Sequence, residues 1–250
     1  MDFDISKILE SWDFQPGQAN VRRFHSKDGQ EKIQLRVDLG VLQMNAHGRP
    51  DGKRPFGYNS LLEYYQARLY KHVANNNGSD EDFALKAEDC SKLQLEALQY
   101  HQRYFCLLQL EDFDAVVRDA ERNLAVFQFV TKHAPEELSW GLRQFQPQLL
   151  MVLARAKASQ ALKTDDYALA ISLAEEGLRE IRAFYADHDR SQAAEDSGEV
   201  LSLETWIEEL QTRRPLTPRE RLERALNEAV ECEDYERAAQ VRDELKNLKE

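Results

Sequence analysis

The sequence predicts a mainly α protein that begins with a small β-hairpin, and three observations carry that prediction. Glycine (10 of 250) and proline (7 of 250) are scarce, below the roughly 7% and 5% of average usage, which argues against a turn-rich β sandwich. Apolar residues recur at intervals of three and four over most of residues 60–212, the spacing of helix faces. Alternation with a period of two is confined to the first 58 residues. The length suits one or two domains, and the organisation expected is a β-hairpin and basic loop over 1–58, a helical array over 59–213 and a helical hairpin over 214–250.

Val21 to Phe24, the turn Ser26-Lys27-Asp28-Gly29, and Ile33, Leu35 and Val37 alternating with Gln34 and Arg36 spell two strands around an Asp-Gly corner. The strand pattern runs on through Val41, Leu42 and Met44. It breaks between Asn45 and Gly57, where three glycines and two prolines dictate a loop. Ser60 with Glu63 forms a capping box that opens a helix over about 60–74, closed by Asn75-Asn76-Asn77-Gly78. A long helix is predicted from Glu81 to about Leu110 on the stripe Leu93, Ala97, Tyr100, Tyr104 and Leu107. Further helices are predicted over 113–133, ending before Pro135, and over 147–163, with Pro147 in the first turn. Two more cover 166–185 and 199–212, separated by a polar stretch, Asp187 to Gly198, that predicts a mobile loop.

An internal echo links two of these helices. Aligning Phe113 with Tyr167 sets Val116 on Ala170, Val117 on Ile171, Ala120 on Ala174, Glu121 on Glu175 and Leu124 on Leu178, and each aromatic follows two acidic residues. A carboxylate there can cap the helix it opens. The repeated corner resembles that of tetratricopeptide repeats, in which an aromatic and a small residue three places on let antiparallel helices approach. The interval of 54 residues departs from that family's period, so the resemblance implies an irregular helical-hairpin array.

The last 36 residues carry the sharpest pattern. Thr217 as N-cap, Pro218 at the first helical position and Glu220 closing a capping box start a helix striped with Leu222, Ala225, Leu226, Ala229 and Val230. After Cys232-Glu233-Asp234, a second stripe runs through Tyr235, Ala238, Ala239, Val241, Arg242, Leu245 and Leu248. The segment resembles the UVR motif, the helical hairpin of the UvrB and UvrC subunits of bacterial excision repair and of some chaperone-associated proteins. The matching features are Leu222, Ala229, Asp234-Tyr235-Glu236, Ala238-Ala239, Arg242-Asp243 and Leu245. The block from Ile33 to Met44, followed by Gly48 to Tyr65, is similar to one found beside such motifs in bacterial proteins.

In that family the motif joins proteins and carries no catalytic residue. The resemblance therefore implies a cytoplasmic, non-catalytic interaction or adaptor protein. It would dock a partner from an excision-repair or protein-quality-control complex, or a second copy of itself, through Leu222, Leu226, Tyr235, Ala239, Arg242 and Leu245. A hairpin this short is below the size at which a chain ordinarily folds without help. Its apolar stripe needs a surface to meet.

Charge weighs against general nucleic-acid binding. The net charge is −12, of which −11 falls on residues 165–250, whereas backbone binding needs clustered Lys and Arg. Residues 20–55 run the other way, with eight basic and four acidic residues. That leaves an alternative reading: a repair accessory protein that touches nucleic acid through Arg49, Lys53 and Arg54.

Other chemistry is not expected. The glycine loop at Gly48–Arg54 has three residues between its glycines and an arginine where a phosphate-binding loop needs a hydroxyl. The six histidines lack metal-ligand spacing, and the three cysteines form no CxxC pair, so neither a cofactor nor a metal is expected. Cys106, inside an apolar run, reads as a buried inert thiol. The longest apolar run, Leu149 to Ala154, is six residues, far short of the roughly 20 needed to span a membrane. The N-terminus lacks the basic and apolar pattern of a secretory signal.

Overall fold

The computed structural model describes residues 4–188 and 191–247. Its elements run α1 (Ser6–Glu10), β1 (Val21–His25), β2 (Glu31–Val37), β3 (Gly40–Asn45), α2 (Leu61–Asn75), α3 (Ala87–Gln109), α4 (Phe113–His133), α5 (Glu136–Arg143), α6 (Gln146–Leu162), α7 (Tyr167–Ala186), α8 (Ser191–Glu195), α9 (Gly198–Arg213), α10 (Pro218–Glu231) and α11 (Tyr235–Asn247). The chain divides into two compact units, Met1–Ile207 and Glu208–Glu250. A mainly helical chain with a small N-terminal sheet and a C-terminal helical pair is the predicted fold class.

The hairpin is the first part of a three-stranded antiparallel meander, β1-β2-β3, with Val21 opposite Leu35 and Ile33 opposite Met44. Gly29, at φ 77°, makes the corner after Asp28. Ile33 and Met44 join the core of the helices, and Arg36 on the other face of β2 is buried as well, its guanidinium donating to the carbonyls of Trp12, Asp38 and Gly40. Arg22 lies 4.1 Å from the Trp12 ring. The residues before β1 thus cover the sheet's second face.

Helix α2 starts where the capping box predicts. Ser60 Oγ accepts the Glu63 N–H at 3.1 Å, although the Glu63 carboxylate returns to the N–H of Asn59, one residue beyond the cap. Its apolar stripe, Leu61, Leu62 and Tyr65, is buried in the core shared with α3, to which Ile33 and Met44 of the sheet also belong. The core continues through Leu93, Ala97, Tyr104 and Leu107 of α3, Val116, Ala120, Val126 and Val130 of α4, and Leu149 and Leu153 of α6. Cys106 is fully buried here, and burial pushes its thiol up to about 11.

Four segments depart from the sequence prediction. Helix α3 begins at Ala87 and not at 81, because Asp80–Phe83 form a turn with Asp82 at positive φ, and residues 83–86 then pass the end of α4. There Leu85 N–H donates to His133 O at 2.7 Å and the Phe83 ring packs edge-on against Phe129 and His133. Helix α5 was not foreseen: eight residues are too few to show a period, and only Ser139 and Leu142 turn fully inward. The stretch read as a mobile loop, 187–198, contains α8, with Ala194 buried and Ser197 Oγ accepting the Val200 N–H to start α9. The short α1 was likewise unread.

Arg23 of β1 ties the sheet to α4. Its guanidinium donates to Asp112 Oδ2 at 2.5 Å, while Asp112 Oδ1 caps α4 at Ala115 N–H. Burial opposes ionisation of Asp112, but Arg23 and the Ala115 N–H outweigh it and hold the carboxyl below the usual carboxylate range. A carboxylate depressed in the folded state stabilises the fold above its unfolded value of about 4, and the contribution is lost as the pH falls through the folded value. The stability advantage of the wild type over Asp112→Asn is therefore expected to shrink below about pH 4 in urea titrations. An advantage independent of pH would contradict this.

Candidate functional site

The corner seen twice in the sequence occurs three times in the structure. Glu111, Asp165 and Glu233 stand at φ 54°, 56° and 58°, left-handed positions usually given to glycine. The acidic residue that follows closes the preceding helix from behind: Asp112 N–H reaches Leu107 O, Asp166 N–H reaches Ala161 O, and Asp234 N–H reaches Ala229 O, at 3.0, 3.1 and 2.8 Å. The same residue then caps the next helix, with its carboxylate accepting the N–H of Ala115, Leu169 or Arg237. An aromatic follows each time: Phe113, Tyr167 or Tyr235. One residue ends a helix and begins its antiparallel neighbour, so α3/α4, α6/α7 and α10/α11 share a joint.

What lies beyond the joint differs. The position three after the aromatic is buried in all three, as Val116, Ala170 and Ala238. At the aromatic and the fourth position after it, the first two helices have half-buried side chains, Phe113 with Val117 and Tyr167 with Ile171; at the seventh, Ala120 and Ala174 are completely buried. In α11 the corresponding residues, Tyr235, Ala239 and Arg242, are all exposed, Tyr235 to 69%. They stand at i, i+4 and i+7, on one face.

The other predicted docking residues look inward. Leu222 and Leu226 of α10 and Leu245 of α11 are half-buried, alongside the buried Ala229, Ala238 and Val241 of the two packed helices. Val230, read as part of the stripe, is half exposed, and Leu248 lies outside the described residues. The start of α10 is as the sequence predicts: Thr217 Oγ1 accepts the Glu220 N–H and the Glu220 carboxylate returns to Thr217 N–H at 2.7 Å. Cys232 sits exposed at the turn.

The basic N-terminal segment is largely spent on the fold. Arg22 donates to Gln34, Arg23 pairs with Asp112 and Arg36 binds carbonyls. Arg49, predicted to face nucleic acid, turns inward, its Nε donating to Glu96 Oε1 at 2.8 Å and Nη1 pairing with Asp51 at 2.9 Å. The loop is anchored by the buried Ala46 and Pro50 together with this buried ion pair. Lys53 and Arg54 remain exposed.

Sequence reasoning missed the partners of that anchor. Glu96, only 1% exposed, also accepts the Leu61 N–H at 2.8 Å and a bond from Arg122. Arg103, with no exposed surface, grips Asp119 with two bonds of 2.6 and 2.8 Å and donates to Asn45 O and Gly48 O at the start of the loop. Arg122 lies 4.1 Å from the Tyr100 ring. Burial, with the Arg49 charge beside it, draws Arg122 down to about 9, and it stays cationic at neutral pH. A signal was available: Glu96, Tyr100 and Arg103 stand in the register of Leu93, Ala97 and Leu107, where a charged side chain needs a partner.

Among the described residues no group of His, Cys, Asp or Glu is placed to hold a metal ion, and no helix is long and apolar enough to cross a membrane. Residues 219–250 match the family model of the UvrB/uvrC motif, UVR. No curated protein matches the chain, and no solved structure matches it.

Proposed function

We propose, with that motif match as premise, that the chain is a non-catalytic interaction protein whose C-terminal hairpin docks a helical partner through Tyr235, Ala239 and Arg242. The observation that carries the reading is the comparison of the three joints. The aromatic, fourth and seventh positions that are covered in α4 and α7 are open in α11. Tyr and Arg are the residue types that dominate binding energy when such a face is covered, and Ala239 between them lets a second helix approach. Leu222, Leu226 and Leu245 then act at one remove, by holding α10 on α11.

The partner that fits is another hairpin of this kind, either a second copy or a motif-bearing subunit of an excision-repair or protein-quality-control complex in the cytoplasm. Sedimentation equilibrium of the full chain, alone and mixed with such a subunit, tests this. Tyr235→Ala combined with Arg242→Glu is expected to weaken association by roughly 30-fold while the helical circular dichroism is unchanged. Association that survives the double substitution, or that is absent from both mixtures, would overturn the reading.

A further inference from the structure

The loop between the sheet and α2 carries a surface that hairpin docking does not use. Phe56 sits in a 3-10 turn over Pro55–Gly57 with φ 51° and ψ 23°, a left-handed conformation that costs a residue other than glycine about 1–2 kcal/mol. The residue as a whole is 63% exposed. One face of its ring stacks on Tyr64 of α2, with centroids 4.3 Å apart and planes at 24°. Tyr64 is in turn held edge-on by Tyr58 and Tyr65, with the Arg68 guanidinium 5.8 Å from its ring. A large apolar ring kept in a strained backbone and presented to water returns little to folding, and such outliers point to a ligand.

The electrostatics beside the ring agree. Lys53 and Arg54 stand three and two residues before it, both exposed and without an ion-pair partner among the described residues. With His47 and Asn59 they line an open cleft of about 230 Å³, room for a phosphate and its water. The neighbouring carboxylates are engaged: Asp51 with Arg49, Glu63 with the Asn59 N–H, and Asp89 with the Tyr65 hydroxyl. The Arg49–Glu96 pair holds the loop in place. An aromatic platform next to a small cationic cleft is the pattern that binds one unstacked base and its phosphate.

We propose that Phe56, Tyr64 and Arg68, with Lys53 and Arg54, bind single-stranded nucleic acid, a base stacking on the open face of Phe56 and the adjoining phosphate seated between Lys53 and Arg54. The acidity of the rest of the chain confines contact to this patch. Duplex binding is weak, because paired bases offer no free face and few phosphates are reached.

The test is fluorescence anisotropy of the full chain with labelled oligo(dT), oligo(U) and a duplex of equal length, at a series of salt concentrations. Both single strands are expected to bind and the duplex at least about tenfold more weakly, with a slope of log K against log salt near −0.7 for the one phosphate seated. Phe56→Leu, which keeps an apolar side chain but removes the stacking face, is expected to lose roughly tenfold in affinity, and Phe56→Trp to retain it. Lys53→Gln with Arg54→Gln is expected to flatten the salt slope. Equal affinity for the duplex, full affinity in Phe56→Leu, or no binding to either strand at low salt would overturn the proposal. Because Tyr235 and Arg242 are untouched by these variants, the outcome is independent of hairpin docking.

Discussion

Replacing Arg103 by leucine is expected to destabilise the first unit by about 3–5 kcal/mol, the cost of breaking a buried ion pair from one side. Arg103 is wholly buried and Asp119 nearly so, and the loss strands the Asp119 carboxylate together with the carbonyls of Asn45 and Gly48. Each orphaned acceptor carries its own desolvation cost. Arg118 also reaches Asp119, at 3.0 Å, and softens the loss without replacing the two-pronged grip. The double variant Arg103→Leu/Asp119→Leu is expected to recover part of the stability, since no lone charge is left in the interior, but not all of it, since the two carbonyls still lack a donor. Urea unfolding followed by circular dichroism reads both. A single-variant loss under about 1 kcal/mol would mean that the network does not bear on the fold.

The second large effect is expected at Gly177. A β-carbon placed there would stand 2.3 Å from Ala154 Cβ and 3.6 Å from its Cα, so α6 and α7 touch nearly backbone to backbone. Alanine in a helix interior ordinarily gains about 1 kcal/mol over glycine, yet at this position the helices must separate to admit it. Gly177→Ala is therefore expected to cost about 1–3 kcal/mol in spite of its better propensity, and Gly177→Val more. Ala154→Gly in the Gly177→Ala background restores the space and is expected to return most of the loss. A Gly177→Ala protein as stable as the wild type, measured by urea unfolding, would show that the helices have slack.

These two sites mark where sequence reading ends. Helices α4, α6 and α7, both capping boxes and the C-terminal hairpin were legible because their signals are local: an N-cap, a proline, an apolar period. Gly177 was in plain view, ten residues after Tyr167 as Asn123 is ten after Phe113. Yet one position is a close approach and the other a latch in which Asn123 Nδ2 donates to Ala97 O at 2.9 Å. Nothing in the residues themselves says which. Glu96 and Arg103 are charges on an apolar face, a signal the sequence reading passed over, and Arg49 and Asp119 lie 47 and 16 residues away from them, so only the tertiary fold selects those partners. The docking face was read as one stripe because Tyr235, Ala238 and Leu245 all recur at helical intervals. Separating the covered side from the open one required the burial of each residue.

The three acidic-aromatic joints begin their second helices at Phe113, Tyr167 and Tyr235, intervals of 54 and 68 residues. What is duplicated is the elbow and not the forearm. Since the elbow is built by contacts within a few residues, each limb is free to change length without disturbing the bend, and α8 and α9 find room between the second bend and the third. A chain assembled this way carries no fixed period, and its kinship between distant segments is written in the bends alone.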